Sequence, residues 1–358
     1  MTCFVQGLGT ALPEIGVPQA DAARMLGELL DEGDPRARST AVLFRRSGIG
    51  NRHSVLAERD ADGTIRQSFF PPRNPLGPTT RERMQAYARH APALVSRAAE
   101  NALADADVSP RAVTHLVTVS CTGFGAPGFD RALVDALGLD AGVQRTHVGF
   151  MGCHGALNGL RVARAFCESD PSARVLVAAV ELSSLHVQPT GGEGQVVANA
   201  LFADGAAAMV LGGEAHGRAW PARASGSHLF PDSEDLMTWD VGDHGFEIAL
   251  SARVPEAIEG GLRPWLVEWL ESQGVALENV GSWAVHPGGP RIVDAVERSL
   301  ELPPEALENS RAILRDLGNM SSPTVLFLLD GLMQRDAPRP CVALGFGPGL
   351  FAEVALFA

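Results

Sequence analysis

Cys153 is flanked by glycines and lies where an apolar segment gives way to a helical pattern. Apolar residues recur behind it at three- and four-residue steps, which predicts a helix with one buried face: Ala156, Leu157, Leu160, Ala163 and Phe166. We therefore expect Cys153 at a helix N-terminus, where unpaired N–H groups and the helix dipole favour an anion. Such a place promotes the thiolate, the nucleophilic form of cysteine. A buried structural cysteine is the alternative interpretation.

Two further segments place polar groups at the ends of predicted elements. His286 ends an apolar strand and is followed by Pro-Gly-Gly, and Asn319 opens an apolar helix. An imidazole beside a thiol activates the nucleophile, and imidazole and carboxamide donors that converge form an oxyanion hole. Each residue also has a plain alternative: His286 as a structural histidine, and Asn319 as an ordinary helix N-cap.

The second part of the chain repeats the pattern of the first. The segments at 108–113 and 275–280 are 167 positions apart, and Cys153 and Asn319 are 166 apart. These agreeing offsets predict an internal duplication, which places Cys153 and Asn319 at equivalent helix N-termini facing one cleft. Alternating strands and helices indicate an α/β fold. The polar, Gly-containing stretch from 213 onward predicts two halves, 1–213 with the nucleophilic cysteine and 214–358 with the histidine and asparagine.

Composition excludes several other functions. A formal charge of −13 argues against nucleic acid as a partner, and the apolar runs are too short to span a membrane. Five cysteines without a secretion signal predict reduced thiols in the cytoplasm, and no Cys/His spacing indicates a metal. A local basic patch nevertheless contains Arg45, Arg46 and Arg52. Without further context, the preferred interpretation of this patch is the solvated face of a loop.

The segments around Cys153, His286 and Asn319 resemble the Cys-His-Asn triad motifs of type III polyketide synthases, the chalcone synthase-like family. The stretches 201–208 and 245–255 and the Gly-Phe-Gly-Pro-Gly of 345–349 also match, so the resemblance covers nearly the whole chain. It implies a thiolase-like fold, with duplicated βαβαβ halves in an αβαβα layering and pseudo-twofold symmetry. It also implies a homodimer that uses an acyl-CoA starter and malonyl-CoA, with no bound cofactor.

The resemblance implies a role for each triad residue. Cys153 would accept the starter acyl group and hold the growing chain, with its thiolate paired to His286. His286 and Asn319 would bind the thioester carbonyl of malonyl-CoA and stabilise the enolate as CO2 leaves. That enolate would attack the acyl group on Cys153 in a Claisen condensation, repeated before the chain cyclises to a pyrone or phenolic product.

The resemblance also implies a wider site. Phe202 matches a gatekeeping phenylalanine, whereas Ile248 stands in place of a second one. His186 and Trp239 depart from plant members at cavity positions, and Cys121, on a loop lining the cavity, is either a second functional thiol or a packed structural one. The predicted substrate-binding residues are Phe202, Ile248, Cys121, His186, Trp239, Ser321, Gly345, Phe346, Gly347, Pro348 and Gly349, and the predicted CoA-binding residues are Arg45, Arg46 and Arg52.

Three alternatives remain at this stage. A ketoacyl synthase III-like enzyme would share the triad and fold but use malonyl-acyl carrier protein. A non-catalytic thiolase-fold subunit would be expected to lack one of the three triad residues, all of which are present. A Cys-His hydrolase is the third alternative, although the motifs of this chain contain no obvious activating Asp. The pair Glu181 and Asp204 is predicted to serve buried structural hydrogen bonding rather than acid–base catalysis.

Overall fold

The computed structural model describes residues 2–358, the side chain of Glu193 excepted. The strands in this range are β1 (Cys3–Ala11), β2 (Gly16–Pro18), β3 (Asn51–His53), β4 (Glu58–Arg59), β5 (Ile65–Arg66), β6 (His115–Ser120), β7 (Gln144–Gly149), β8 (Arg174–Leu182), β9 (Asp204–Gly212), β10 (Trp220–Leu229), β11 (Met237–Gly242), β12 (Gly245–Leu250), β13 (Ser282–Val285), β14 (Cys341–Gly347) and β15 (Phe351–Phe357). The helices are α1 (Gln19–Gly27), α2 (Arg36–Arg46), α3 (Thr80–Asp105), α4 (Phe129–Leu137), α5 (Gly155–Ser169), α6 (Glu193–Leu201), α7 (Val254–Ser272), α8 (Pro290–Leu300), α9 (Glu308–Leu317) and α10 (Thr324–Gln334).

Nine of these strands form one mixed sheet in the order β13-β14-β15-β10-β1-β9-β8-β6-β7. At its centre β1 and β10 pair antiparallel, from Cys3 with Ala222 to Val5 with Trp220. Outward from this junction the two halves follow the same plan: two antiparallel pairings and then a parallel one, β8 with β6 on one side and β14 with β13 on the other. The predicted duplication is therefore confirmed.

Three hydrophobic cores give the layers of the molecule. The central core contains Leu160 of α5 and Leu328 of α10 together with strand residues from both halves, such as Val177 and Ala343. A second core joins α3 and α4 to the outer face of the first half, and a third joins α7 and α8 to the second half. Helices α5 and α10 thus lie between the two halves of the sheet, which is the αβαβα layering that the resemblance implied. Burial of each such leucine stabilises the fold by about 1.5–3 kcal/mol.

Small residues bring α3 close to the central strands. The helix starts at a capping box between Thr79 and Glu82 and buries an alanine-rich face. A Cβ on Gly9 of β1 would lie 2.2 Å from the backbone nitrogen of Ala102, so only glycine permits this approach. This close packing fixes the position of β1 and, through their pairing, of its neighbour β9.

The structure corrects one local prediction and leaves another open. The basic stretch expected as a loop forms helix α2, because Thr40 and Phe44 are buried on one face while the arginines lie outside. The segment after Gly212 joins β9 to β10, and the division at Gly213 stays a prediction. No helix within residues 2–358 has the length and hydropathy needed to cross a membrane.

Candidate active site

Cys153 occupies a 3-10 turn, Gly152–His154, directly before the first residue of α5. The chain enters this turn from β7 with Gly152 at a φ of +72°, and a Cβ there would lie 2.2 Å from Cδ of Pro348. Glycine therefore lets the 348–350 turn pack against the cysteine. The predicted place of Cys153, between a strand and a helix N-terminus, is confirmed.

His286 directly follows β13 and extends its ladder, since its backbone N–H donates to the carbonyl of Leu344 at 2.8 Å. The side chain is 1% exposed, and within the described chain neither ring nitrogen has a hydrogen-bond partner. Burial, together with nearby His154, lowers the pKa of His286 to about 3. The imidazole is thus neutral, with one N–H and one lone pair available to a ligand.

Asn319 does not open a helix as expected: α10 begins only at Thr324, and Asn319 lies in the segment before it, held on both sides of its backbone. Its backbone N–H donates to Leu201 O at 2.9 Å, and its backbone carbonyl accepts from Ala203 N at 2.8 Å. These two hydrogen bonds lie on either side of Phe202. The side-chain Oδ1 accepts from Ser321 N–H at 2.7 Å, while Nδ2 donates to Gly288 O at 3.2 Å. The oxygen is therefore occupied, which fixes the orientation of the amide and leaves its second N–H for the cavity.

These three side chains line one cavity of about 60 Å³, here called the catalytic chamber. Of the predicted substrate-binding residues, the chamber also brings together Phe202, Ile248, Cys121, Trp239, Ser321, Phe346 and Pro348. The three glycines of the 345–349 loop do not line it. Gly347 serves close packing instead, because a Cβ there would lie 2.5 Å from Nε2 of His154.

Burial dominates the electrostatics of Cys153. It raises the pKa of the thiol to about 11, and hydrogen bonds from Ser321 (Oγ to Sγ, 3.5 Å) and Asn319 only partly oppose it. The carboxyl of Glu181 adds to the rise. This shift acts against the stabilisation of the thiolate that is expected at a helix N-terminus.

Cys121 and Trp239 form a packed wall of the chamber. The indole N–H of Trp239 donates to the carbonyl of Cys121 at 2.8 Å, and the Cys121 sulfur accepts from Gly152 N–H at 2.9 Å. Burial raises the pKa of the Cys121 thiol well above its ordinary value. These contacts favour the structural interpretation of Cys121, as the support of the turn that carries Cys153.

His186 lies outside the catalytic chamber. Its Nε2 donates to Thr122 O at 2.7 Å, its Nδ1 accepts from Phe246 N–H at 2.9 Å, and its ring stacks on Phe246 with centroids 4.1 Å apart. Burial lowers the pKa of His186 to about 3, so the ring is neutral. It lines a neighbouring cavity of about 110 Å³, here called the rear cavity, and its predicted contact with the substrate stays a prediction.

Arg52 is likewise buried, and its guanidinium is fully occupied. Its N–H groups donate to the side chain of Gln19 and to the carbonyls of Asn199, Ala200 and Phe202 at the end of α6. No donor remains for a CoA phosphate, so we no longer expect that contact.

Arg45 and Arg46, by contrast, are exposed in the last turn of α2. The next glycine, Gly48, meets the first residue of α8, since a Cβ on it would lie 3.3 Å from the ring of Pro290. The two exposed arginines therefore lie at the end of α2 that is near the start of α8.

Several chamber residues had no signal in the sequence. Ser183, Met237, Leu250 and Ile292 line it, although a single serine or apolar residue near a strand end indicates nothing alone. Beneath the chamber, Glu181 accepts hydrogen bonds from five donors on two loops: Ser120 Oγ, Cys121 N, Thr122 N, Thr122 Oγ1 and Ser322 Oγ.

The predicted structural role of the two buried carboxylates is confirmed. Glu181 ties the loop of Cys121 to the loop of Asn319, and Asp204 accepts from Val55 N–H and Ser184 N–H, each at 2.8 Å. Neither residue lines the catalytic chamber. Residues 2–358 contain no cluster of three or more His, Cys, Asp or Glu side chains arranged to hold a metal ion.

Comparisons with known proteins agree with this geometry. Residues 2–215 match the family model for chalcone and stilbene synthases, N-terminal domain, and residues 223–358 match the C-terminal domain model. The chain is 33% identical to the alpha-pyrone synthesis polyketide synthase-like Pks18 of Mycobacterium tuberculosis, over 99% of this chain and 90% of that protein. It is 34% identical to 1,3,6,8-tetrahydroxynaphthalene synthase of Streptomyces peucetius subsp. caesius, over 98% and 92%.

Solved structures show the same fold. The crystal structure of 1,3,6,8-tetrahydroxynaphthalene synthase from Streptomyces coelicolor A3(2) superposes with a TM-score of 0.86 at 30% identity, covering 99% of this chain and 98% of that one. The crystal structure of PKS-I from the brown alga Ectocarpus siliculosus gives 0.92 at 29% identity, with 99% and 98% coverage. The chain therefore belongs to the chalcone and stilbene synthase family and is a type III polyketide synthase.

Proposed function

We propose that Cys153 carries the acyl chain and that His286 and Asn319 bind the carbonyl of malonyl-CoA. The observation that carries this proposal is the arrangement of the three side chains around one chamber, with the Asn319 amide held by Ser321 and both His286 nitrogens without a protein partner. Donors that are already oriented cost no reorganisation when negative charge develops on a substrate oxygen.

In loading, the Cys153 thiol gives its proton to the neutral His286 imidazole and its sulfur attacks the thioester carbonyl of the starter. The carbon–sulfur bond to CoA breaks, and CoA leaves as the thiol with that proton. In extension, the malonyl carboxylate leaves as CO2 and its bonding electrons form an enolate. The enolate oxygen accepts hydrogen bonds from the His286 ring and from Nδ2 of Asn319. The enolate carbon then attacks the acyl group, and the Cys153 sulfur is expelled as the thiolate.

The dry surroundings of the triad support this chemistry. His286 and Asn319 are each 1% exposed, so their hydrogen bonds to a developing oxyanion act in a low dielectric and are stronger than in water. The same burial that raises the pKa of Cys153 also keeps water away from the acyl-enzyme, which would otherwise hydrolyse. The phosphates of CoA would bind Arg45 and Arg46, and no bound cofactor takes part.

We further propose that two copies of the chain form a homodimer and that the product is a pyrone or phenolic polyketide. Phe124, Phe150 and Met151 are 52%, 41% and 43% exposed and cluster beside the turn of Cys153, as expected of a surface that a second copy covers. The relatives named for alpha-pyrone and tetrahydroxynaphthalene synthesis support the product class.

The test is incubation of purified protein with radiolabelled malonyl-CoA and a panel of acyl-CoA starters, without carrier protein. Wild type should release cyclised polyketides, and Cys153→Ala should release none. Cys167→Ala is the matched control, because Cys167 lies on α5, the helix that follows Cys153, but outside the chamber. Product formation only after addition of malonyl-acyl carrier protein would instead assign a ketoacyl synthase III-like activity.

A further inference from the structure

His154, the residue that follows Cys153, lies beside the triad histidine on one side of β14. A Cβ on Gly345 would lie 3.1 Å from the Cβ of His154 and 3.7 Å from the Cβ of His286, so both side chains start next to this glycine. Both are buried, with exposures of 3% and 1%. The triad histidine thus has a second buried imidazole as a neighbour.

One hydrogen bond fixes the tautomer of His154. Its Nδ1 lies 2.8 Å from Oδ1 of Asn158, and because a carboxamide oxygen only accepts, Nδ1 carries the hydrogen and donates. Nε2 then has the lone pair, and it has no hydrogen-bond partner among residues 2–358. This nitrogen packs against the backbone of Gly347, since a Cβ there would lie 2.5 Å from it. His154 therefore has a free site for one more proton.

A line of polar side chains runs from His154 to the surface. One face of α5 carries His154 at its N-cap and then Asn158 and Arg161, at helical spacing. Arg161 forms an ion pair with Glu353 of β15, the cross-strand partner of Gly345. The Arg161 side chain is 41% exposed, whereas Glu353 is 4% exposed. A buried carboxylate therefore lies on the His154 side of the triad.

The surroundings decide which of the two imidazoles takes a proton first. The titratable and charged groups that face His154 are Glu353 of β15, Arg161 of α5, His286 after β13 and the adjoining thiol of Cys153. Burial lowers the pKa of His154, and the hydrogen bond to Asn158 and the charge of Glu353 partly oppose that fall. Burial and His154 lower the pKa of His286 to about 3, and no hydrogen bond to its ring opposes that fall. The first proton therefore binds to His154.

The loading step requires a positive charge at His286. In this step the S–H bond of Cys153 breaks, the electron pair stays on sulfur, and the proton bonds to the lone pair of a His286 ring nitrogen. The imidazolium that results is buried, and a second cation on His154 would repel it strongly in a low dielectric. An uncharged His154 is therefore a condition for the transfer, although its side chain does not line the chamber.

We propose that His154 is a positioning residue that acts through His286: uncharged, it allows His286 to accept the proton of Cys153, and protonated, it blocks that transfer. Glu353 strengthens the block, because its carboxylate stabilises the protonated form of His154. This inference rests on the proposed function and deepens it, since it assigns the group that sets the acid limit of the reaction.

The experiment separates the charge of His154 from its shape. His154→Phe keeps a buried ring and His154→Gln keeps a donor for Asn158, and neither new side chain titrates. His115→Phe is the matched control, because His115 is also buried and packs on α5 through Phe166, with ring centroids 4.2 Å apart.

Two quantities are measured for each protein from about pH 4 to pH 8. The first is kcat/KM for the best starter of the acyl-CoA panel at saturating malonyl-CoA. The second is the NMR titration of the His286 ring in protein with labelled histidine, which requires no turnover. If His154→Phe fails to fold, His154→Gln carries the test.

The proposal predicts that the two quantities shift in opposite directions. In His154→Phe and His154→Gln, the midpoint of the acid limb of kcat/KM should move down by about one pH unit or more, because the blocking charge is gone. The His286 ring should titrate at a higher pH than in wild type, because a protonated neighbour no longer repels its proton. His115→Phe should change neither quantity.

A purely structural role of His154 gives a different result. A loss of kcat/KM by the same factor at every pH, with the acid limb and the His286 titration unmoved, would overturn the proposal. Absence of product from wild type with every starter would instead overturn the proposed function, and the NMR titration would still decide whether His154 acts on His286.

Discussion

The indole N–H of Trp239 donates a 2.8 Å hydrogen bond to the backbone carbonyl of Cys121. This contact joins strand β11 to the loop that follows β6, two elements far apart in the chain. It also holds the Trp239 ring in place between the catalytic chamber and the rear cavity. Together with Ser183 and Phe202, which also line both cavities, Trp239 therefore limits the space open to a growing polyketide.

Replacement of Trp239 should change chain length. Trp239→Gly removes the ring and joins the two cavities, so we expect products with at least one more malonyl unit from a short starter. Trp239→Phe keeps a ring but loses the N–H donor, and should give a mixture of wild-type and longer products. Mass spectrometry of the products measures both. A product distribution in Trp239→Gly identical to that of wild type would show that the Trp239 ring does not limit chain length.

The hydroxyl of Ser321 should assist ionisation of Cys153. Because the pKa of the thiol is about 11, its alkylation by iodoacetamide should still become faster with pH beyond about pH 9. Ser321→Ala removes a hydrogen bond that stabilises the thiolate, and should slow alkylation about two- to tenfold at a given pH. The rate is followed by mass spectrometry of the Cys153 peptide. A rate that is already constant from neutral pH upward would show that the thiolate is the resting form after all.

Loss of the Glu181 carboxylate should destabilise the fold. Glu181→Ala leaves buried donors on two loops without an acceptor, and should lower the free energy of unfolding by about 2–5 kcal/mol. Glu181→Gln retains one acceptor oxygen and should cost less. Urea denaturation of the three proteins measures the difference. Equal stability of Glu181→Ala and wild type would mean that the loops of Cys121 and Asn319 are held by other contacts.

His186 should make stability depend on acid pH. Its pKa is about 3 in the fold and about 6.5 in the unfolded chain, so the unfolded state binds the extra proton in between. Stability is therefore lost as pH falls below about 6.5, by about 1.4 kcal/mol per pH unit for this one group. His186→Gln should reduce the slope of unfolding free energy against pH by the contribution of one proton, about 1.4 kcal/mol per pH unit. Urea unfolding at a series of pH values measures this slope. His286 contributes with the same sign and is retained in both proteins, so an unaltered slope would count against His186.

Arg46 should contribute to binding of CoA rather than to chemistry. Arg46→Ala should raise KM for malonyl-CoA about two- to fivefold with little effect on kcat, because an exposed charge gives only a modest interaction. The effect should shrink at high salt, which screens exposed charges. Arg38, exposed on the same helix but two turns earlier, provides the control variant Arg38→Ala. An equal rise of KM in both variants would indicate a general effect of helix charge.

The sequence predicted those parts of the molecule whose local pattern is strong. The helix behind Cys153 follows from apolar residues at three- and four-residue steps, and α5 lies where it was expected. The three candidate catalytic residues were singled out because a glycine-flanked cysteine and an asparagine lie at the offset of the duplication and a histidine ends a strand, and the family resemblance then implied their roles. Periodicity and composition are properties of neighbouring residues, so they can be read from the chain alone.

The errors concern side chains whose surroundings come from distant segments. Arg52 belongs to a basic patch in the sequence, yet its partners lie on α6 and in Gln19, and only the fold shows that they consume all its donors. His186 and Ser183 are three positions apart on one turn, but one faces only the rear cavity and the other faces both. The surroundings that raise the pKa of the Cys153 thiol likewise come from both halves of the chain, so they have no signal near the cysteine in the sequence.

The antiparallel pairing of β1 with β10 has a consequence for how substrates reach the triad. Because the backbones of the two halves are joined by this ladder, Cys153 and Asn319 belong to one continuous sheet framework rather than to two lobes on a flexible connection. A framework of this kind has no hinge about which the halves could swing apart. We therefore expect a bulky thioester to enter, and its product to leave, through local movements of side chains and loops at the rim, without separation of the two halves.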